Sequence, residues 1–569
     1  MGMSWKQSRH ENRLKGFMLG LGVLALTAGC SKAAPEEPED TKNSRSAIEA
    51  VAESEESKAA MAKAEQALAI RPQWSELSDE ICDEENALTY VVVSDGERIG
   101  IKVTGRSGTP IDILIPKEIA GYPVVMVGEN AFSNTDIASV VISETVVEIG
   151  DSAFEGCTGL GFVQFSNSVK WIGGRAFQDT IWLKFRQMSN GGMVIANDIL
   201  IDGTNVTGEV VIPDTVVGIA PNAFADAQVT DITLPDSLCF IGNDAFAGTP
   251  YLEEKSAGQN LVVVNGVLLA GDLKTLITEG ELTIPEGIVW IPENAFSGCE
   301  ELKSVTLTDS VMVIGDGAFR ACKNLERVTF SDHVVQIGAE AFADCSSLKE
   351  IALPQSAAAI GHGAFRHCGA LQSFGLPADV KVIPRETFAG CAKMETLDIS
   401  NILDIGDSAF SGAALLQALD FSADLRYVGR SAFAGCRKLR ELIFPEQVSY
   451  IARDAYKNCD RLTKIVLPDN TADFWGTVLT AEWYNGTAEA TGENRNASLS
   501  WFSIPGGVTV IAEKAFTGTA LTEIVIPDGV TEIGAEAFAG TLIEEVTIPR
   551  SVTALDDSAF DEDTVVVRK

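Results

Sequence analysis

Histidine and cysteine gather at one place in this chain, His362-Gly363-Ala364-Phe365-Arg366-His367-Cys368. A zinc ion needs three or four such ligands converging in tetrahedral geometry, and the local sequence supplies no further one, so solvated turn histidines are the expectation. The whole chain holds four histidines, one of them His10 near the start, a thin stock for general acid-base work. Aspartates follow prolines at Asp214, Asp236, Asp469 and Asp528. They could line a calcium rim, but without a D-x-D-x-D-G loop they read as turn residues. The chain contains no H-E-x-x-H, no Walker loop and no G-x-S-x-G. Catalytic, metal and cofactor residues are therefore expected to be absent, and the chain is not expected to be an enzyme.

A denser aromatic group, Phe474, Trp475, Trp483, Tyr484, Trp501 and Phe502, sits among Asn, Gly and Thr. Tryptophan and tyrosine anchor interfaces and stack on sugars, which makes Trp475, Trp483 and Tyr484 candidate ligand-binding residues. Filling the core of an irregular segment is the other reading.

What must position these residues is a repeat. Ala-Phe pairs recur so that Phe296, Phe319, Phe342, Phe365, Phe388, Phe410 and Phe433 stand 22 or 23 residues apart, within a column running from Phe132 to Phe560. One turn reads Ile314-Gly315-Asp316-Gly317-Ala318-Phe319-Arg320-Ala321-Cys322, followed by Leu325, Val328, Phe330, Val334, Ile337 and Gly338. A unit this short cannot enclose its own apolar side chains and must stack on its neighbours, so the chain is a solenoid. Val328 and Phe330 alternate as in a strand, and Val334 and Ile337 mark a second extended piece. The stretch from Gly315 to Leu325 is expected to make a helical turn, and the glycine after the isoleucine a corner with permissive angles. The fold class is thus an α/β solenoid of 22–23-residue coils, each with short parallel strands and one helical turn. Eight cysteines, Cys157, Cys299, Cys322, Cys345, Cys368, Cys391, Cys436 and Cys459, follow the column aromatic by three. Side chains of a parallel ladder point the same way, so buried thiols are expected in preference to disulfides.

The motif I-G-x-x-A-F-x-x-C-x-x-L-x-x-I-x-L-P, with Gly121-Tyr122-Pro123-Val124 ahead of the first unit, resembles the BspA-like leucine-rich repeat family of bacterial surface proteins. The resemblance covers about Leu88 to Val567. It implies a non-enzymatic leucine-rich repeat array used for attachment, with the column cysteines as a ladder near the backbone turn; it transfers no ligand and no binding residue.

The start of the chain has its own logic. Lys6, Arg9, Arg13 and Lys15 precede an apolar run from Phe17 to Ala28, which is too short for a comfortable permanent span and reads as an export signal. Leu26-Thr27-Ala28-Gly29-Cys30 resembles a bacterial lipobox, which implies lipidation of Cys30 after cleavage and a membrane anchor. The expected organisation is a signal peptide over 1–29 and a lipid-anchored Ala/Glu-rich tether over 30–86, with at most a solvated helix. An N-terminal cap follows over 87–131, including an Asp-Gly hairpin at Tyr90–Ile99, and the solenoid spans 132–569. Longer gaps near 178–223, 247–295 and 457–515 are variant coils, the first two hairpin-like.

Charge completes the expectation. With 80 acidic against 43 basic residues the formal charge is −37, a field that repels phosphate backbones and excludes nucleic acid as a broad-surface partner. The chain is expected to be an envelope lipoprotein, at the outer membrane or cell surface, whose solenoid binds a protein or glycan. The alternative is a non-enzymatic scaffold of a periplasmic envelope complex.

Overall fold

The computed structural model describes residues 55–70, 74–257, 259, 261–452, 454–471, 478–479 and 498–569. The chain divides into two units, Met1–Ala50 and Val51–Lys569, and all described residues belong to the second. No helix among them is long and apolar enough to cross a membrane.

Each regular coil contributes two short strands. Ser304–Thr306 and Val313–Ile314 are followed one coil later by Arg327–Thr329 and Gln336–Ile337. Their pairing is parallel and in register with the sequence repeat, Val305 on Val328 and Ile314 on Ile337. Period-two alternation turns one side chain of each first strand inward, as Ile351 is buried between exposed Glu350 and Ala352. The column phenylalanines stack through the middle: Phe296, Phe319, Phe342 and Phe365 are fully buried. Their ring centroids lie 5.0, 5.2 and 5.5 Å apart.

The expected helical turn is not there. Between Gly315 and Leu325 the chain makes successive tight turns, because two residues per coil hold left-handed angles, Gly317 at φ +60° and Ala321 at +57°. Glu340 and Asp344, at +50° and +61°, repeat the pattern in the next coil. The N–H groups of Ala318, Arg320 and Cys322 close local turns onto Gly315, Gly317 and Phe319. Those between them, on Gly317, Phe319 and Ala321, donate to Ala339, Ala341 and Ala343 of the next coil at 2.7–2.8 Å. A helix would use every N–H internally; here half the donors bind coil to coil, and the third side of the repeat is itself a ladder.

The glycine after the isoleucine also has a different purpose from the one expected. Gly361 carries no left-handed φ; instead a Cβ there would lie 2.2 Å from the Ala339 nitrogen and 2.5 Å from the Gly338 carbonyl carbon. Closeness of coils, not backbone freedom, demands glycine at this corner.

At the N-terminal side β1 (Ser75–Glu76) and β2 (Ile81–Asp83) flank β3 (Leu88–Ser94), which forms an antiparallel hairpin with β4 (Ile99–Arg106). The Asp95 carboxylate accepts the N–H groups of Glu97 and Arg98 in the turn. β4 then pairs with Tyr122–Val127, which continues into the second-strand sheet of the coils. Val194–Ala196 with Ile199–Asp202, and Leu261–Val264 with Val267–Gly271, are antiparallel hairpins inside the first two long gaps. A helix α1 (Glu55–Ile70) lies within the stretch expected as tether, and it is not solvated all round: Ala60, Ala64 and Ala67 are buried.

Candidate interaction surface

Cys30, Trp475, Trp483 and Tyr484 lie outside the described residues. Of the aromatics near them, Phe502 is buried with its ring 5.3 Å from that of Phe516, so it belongs to the core. Trp501 is half-buried, with the Lys464 ammonium 5.2 Å from its ring centroid.

The His-Cys cluster separates. His362 Nδ1 is 3.7 Å from the Glu76 carboxylate, His367 Nδ1 is 3.0 Å from Asp344, and Cys368 Sγ donates to the Phe342 carbonyl at 3.2 Å. Among the described residues no three His, Cys, Asp or Glu side chains are grouped to hold a metal. The column cysteines form a ladder of free thiols. Cys322, Cys345 and Cys391 donate to the carbonyls of Phe296, Phe319 and Phe365 in the preceding coil at 3.1–3.3 Å. Burial pushes the Cys391 thiol up to about 12, which keeps the proton that the bond requires.

One face of the coils is covered by the chain's own N-terminal segment. α1 sets Ala60 and Ala64 against Val289, Met312 and Val313, and Gln66 accepts from Cys239 Sγ at 3.2 Å. Further along, Ser75 Oγ donates to the Ile360 carbonyl, Arg385 N–H to Glu76 and Asp407 N–H to Leu77. Beyond these, Ser94 Oγ donates to buried Asp404 at 2.7 Å, and Arg426 bonds both the Glu97 carbonyl and the Asp404 carboxylate. Glu76 meets Lys102 Nζ at 2.7 Å and Arg385 Nε at 2.9 Å. Burial alone would raise the Glu76 carboxyl; Lys102, His362 and Arg385 outweigh it and hold the group at about 2. These contacts run along the second strands from Cys239 to Arg426, so that stretch of the face is occupied.

An apolar surface is left open on the first-strand side. Where the strand after Phe162–Gln164 would stack, the chain instead forms α2 (Ile181–Ser189), started by Thr180, whose hydroxyl accepts the Leu183 N–H at 3.1 Å. Trp182 and Leu183 turn into the core, while Phe185 is 64% and Met188 82% exposed, beside Phe162 at 53%. Phe162, Trp182, Phe185 and Arg186 line one groove, and the Arg186 guanidinium lies over the Trp182 ring at 5.0 Å. The signal was present in sequence as the apolar stripe Ile181, Trp182, Phe185, Met188, but the column repeat around it reads as packing and hides it.

The BspA type leucine rich repeat region model matches in six copies over residues 125–253, 277–395, 358–478 and 494–566. This chain belongs to the BspA-type leucine-rich repeat family. Its repeats are similar to those of a leucine-rich repeat protein from Bacteroides ovatus at 20% identity, covering 87% of this chain and 98% of that one, with a TM-score of 0.32. A leucine rich cell surface protein from Faecalibacterium prausnitzii is 24% identical over 56% of this chain and 93% of that one, with a TM-score of 0.23. A repeat protein from Eubacterium ventriosum is 21% identical over 65% and 92%, with a TM-score of 0.28. No curated protein matches. In this BspA-type array α2 takes the place of a first strand after Phe162–Gln164, and a second Thr-capped helix, Pro250–Ser256, follows Phe246 in the same way.

Proposed function

We infer that this chain is an exported, lipid-anchored recognition protein of a bacterial envelope that holds a protein partner against its first-strand side. The observation that carries this reading is the exposed Phe162, Phe185 and Met188 cluster on and beside α2. Exposed apolar side chains scattered singly are ordinary, whereas two phenylalanines lining one groove, with an exposed methionine three residues further along α2, resemble an interface centre. The occupied second-strand face supports the same side. Export and anchoring rest on the basic and apolar leader ending in Cys30, and the cell-surface description of the Faecalibacterium relative supports an outward location. Trp475, Trp483 and Tyr484 are a second proposed contact, for protein or glycan.

The test places a photo-crosslinking amino acid at position 185 in intact producing cells. A discrete protein adduct that disappears with Met188→Asp supports the reading; its absence in cells alone and in cells mixed with potential host cells overturns it. Protease shaving of the same cells separates surface recognition from a periplasmic scaffold, which would stay protected until the envelope is breached. Cys30→Ala should move the chain from the membrane to the soluble fraction.

A further inference from the structure

Charge narrows the chemistry of what α2 can hold. Between Gly156 and Asn197 the sequence has one acidic residue, Asp179, against Lys170, Arg175, Lys184 and Arg186, in a chain where acids outnumber bases 80 to 43. Two of these bases serve elsewhere: Arg175 is spent on Glu155, and Lys170 leads into the second strand Trp171–Ile172. Lys184 and Arg186 remain, both exposed on α2 and, among the described residues, both without an ion pair. The acids around them are distant or engaged. Asp179 precedes the Thr180 cap, about two helical turns from Arg186. Buried Asp202 accepts from Gln187 and Thr204. Elsewhere on the first-strand side Glu281, Glu350 and Glu441 open their strands with exposed carboxylates, whereas Phe162 holds that position beside α2. In the column of Phe162 the paired residues are Ser139 and Asp112, and the Asp112 carboxylate accepts the Ser139 hydroxyl at 2.6 Å. Glu209, in the following strand Thr207–Val211, is exposed.

Arg186 is placed to take a carboxylate. Its guanidinium lies over the Trp182 ring at 5.0 Å, so the flat side is covered while the N–H groups stay at the edge of the plane. A guanidinium held in this way meets a carboxylate through two parallel hydrogen bonds. Phe162 and Phe185 line the same groove, so an acid that reaches Arg186 brings its neighbours against two aromatic rings. A membrane is the other surface that a basic, apolar helix can meet. The observations favour a protein segment: Phe162 stands on a strand and makes the site a groove instead of a ridge, and a formal charge of −37 repels anionic lipid.

We propose that the partner segment held at α2 is acidic, with an aspartate or glutamate side chain bonded to the Arg186 guanidinium and a bulky apolar neighbour seated against Phe162 and Phe185. This rests on the reading of α2 as a protein-binding surface. The full chain is tested in intact producing cells, alone and mixed with potential host cells, with the photo-crosslinking amino acid at position 189, which leaves Phe162, Phe185 and Arg186 in place. A discrete protein adduct is expected. Lys184→Glu with Arg186→Glu should reduce it on the order of tenfold or more, with unchanged melting of the purified chain. If the double reversal lowers the melting temperature, Lys184→Gln and Arg186→Gln take its place, each expected to weaken capture. The crosslinked peptide of the partner should carry an aspartate or glutamate close to the linkage, and exchanging that acid for lysine should restore capture by the doubly reversed chain. Capture that persists through the reversal, or a crosslinked segment without an acid, overturns the acidic partner and leaves α2 standing as a recognition surface. No protein adduct from position 185 or 189 removes that reading and this inference together, and an adduct of lipid mass in its place gives α2 to the membrane.

Discussion

The Glu76 carboxylate accepts the Arg385 Nε–H at 2.9 Å across 309 residues of chain. Contacts of that separation are foreign to a simple stack, in which each coil touches only its neighbours. Here the segment from α1 to the Asp95 turn ties coils far along the array to the N-terminal cap, and the pair sits largely out of water. Breaking one partner of a mostly buried pair costs up to about 3–5 kcal/mol, because the other charge stays behind. Both groups keep some exposure, so a value below that range is expected.

Glu76→Gln should therefore loosen the N-terminal segment without unfolding distant coils. Hydrogen exchange should rise over residues 55–79 and stay constant over 510–560. The pH dependence has a definite sign. Glu76 is held at about 2, below its ordinary 4.5, so the folded state binds this proton less tightly than the unfolded one. Its contribution is complete above about 4.5 and is lost as pH falls through about 2. Asp407 runs the other way: burial raises it to about 6, so its term favours the fold below 3.8 and fades as pH rises through about 6. Asp407 is common to both proteins and drops out of the stability difference between wild type and Glu76→Gln, whereas His362, 3.7 Å from Glu76, adds to that difference wherever it is protonated. Below about 4.5 the difference should shrink towards zero as pH falls through about 2; a difference that keeps growing below 4.5 would contradict the assignment.

Gly361→Ala tests the close coil contact. Its Cβ would meet the Ala339 nitrogen at 2.2 Å, a backbone atom held by the neighbouring ladder that cannot rotate aside. Overpacking of this kind costs about 1–3 kcal/mol or more. Gly363→Ala, at φ +60° but with no contact under 3.4 Å, should cost less and act only through backbone strain. Equal losses of melting temperature in the two variants would refute the steric account.

The repeat was legible because packing constraints recur. Phe319, Cys322, Leu325 and Ile337 each reappear one coil later, so column, strand positions and thiol ladder can be read directly. The helical turn was misread because Ala, Phe and Cys around position 319 suit a helix locally. Only the coil-to-coil bonds from Gly317, Phe319 and Ala321 show why it does not form. The covering of the second-strand face by α1 and β1 was illegible: its contacts, such as Ser75 to Ile360, occur once and carry no period. Phe185 and Met188 escaped for the same reason.

Column thiols should be inert in the folded chain. Cys391 is fully buried with its thiol near 12, whereas Cys82 is exposed. A thiol reagent at pH 8 should modify Cys82 rapidly and the column cysteines only after denaturation. Cys391→Ala removes one of two donors to the Phe365 carbonyl, which keeps the Cys368 N–H, and should cost about 0.5–1.5 kcal/mol. Rapid native labelling of Cys391 would disprove the ladder.

Trp182 and Phe185 are three residues apart on α2 and should behave oppositely. Trp182 is buried, with its ring centroid 4.7 Å from that of Phe177, so Trp182→Ala opens a cavity worth about 3–5 kcal/mol. Phe185 and Met188 face solvent, and Phe185→Ser with Met188→Ser should alter folding stability by no more than about 0.5 kcal/mol each. The same double variant should lose partner capture, as a central apolar anchor typically contributes about 2 kcal/mol or more. Thermal melts paired with crosslinking from position 162 make the comparison on one set of proteins. Stability lost with Phe185 and Met188 would mean that α2 holds the array together and is not a binding surface.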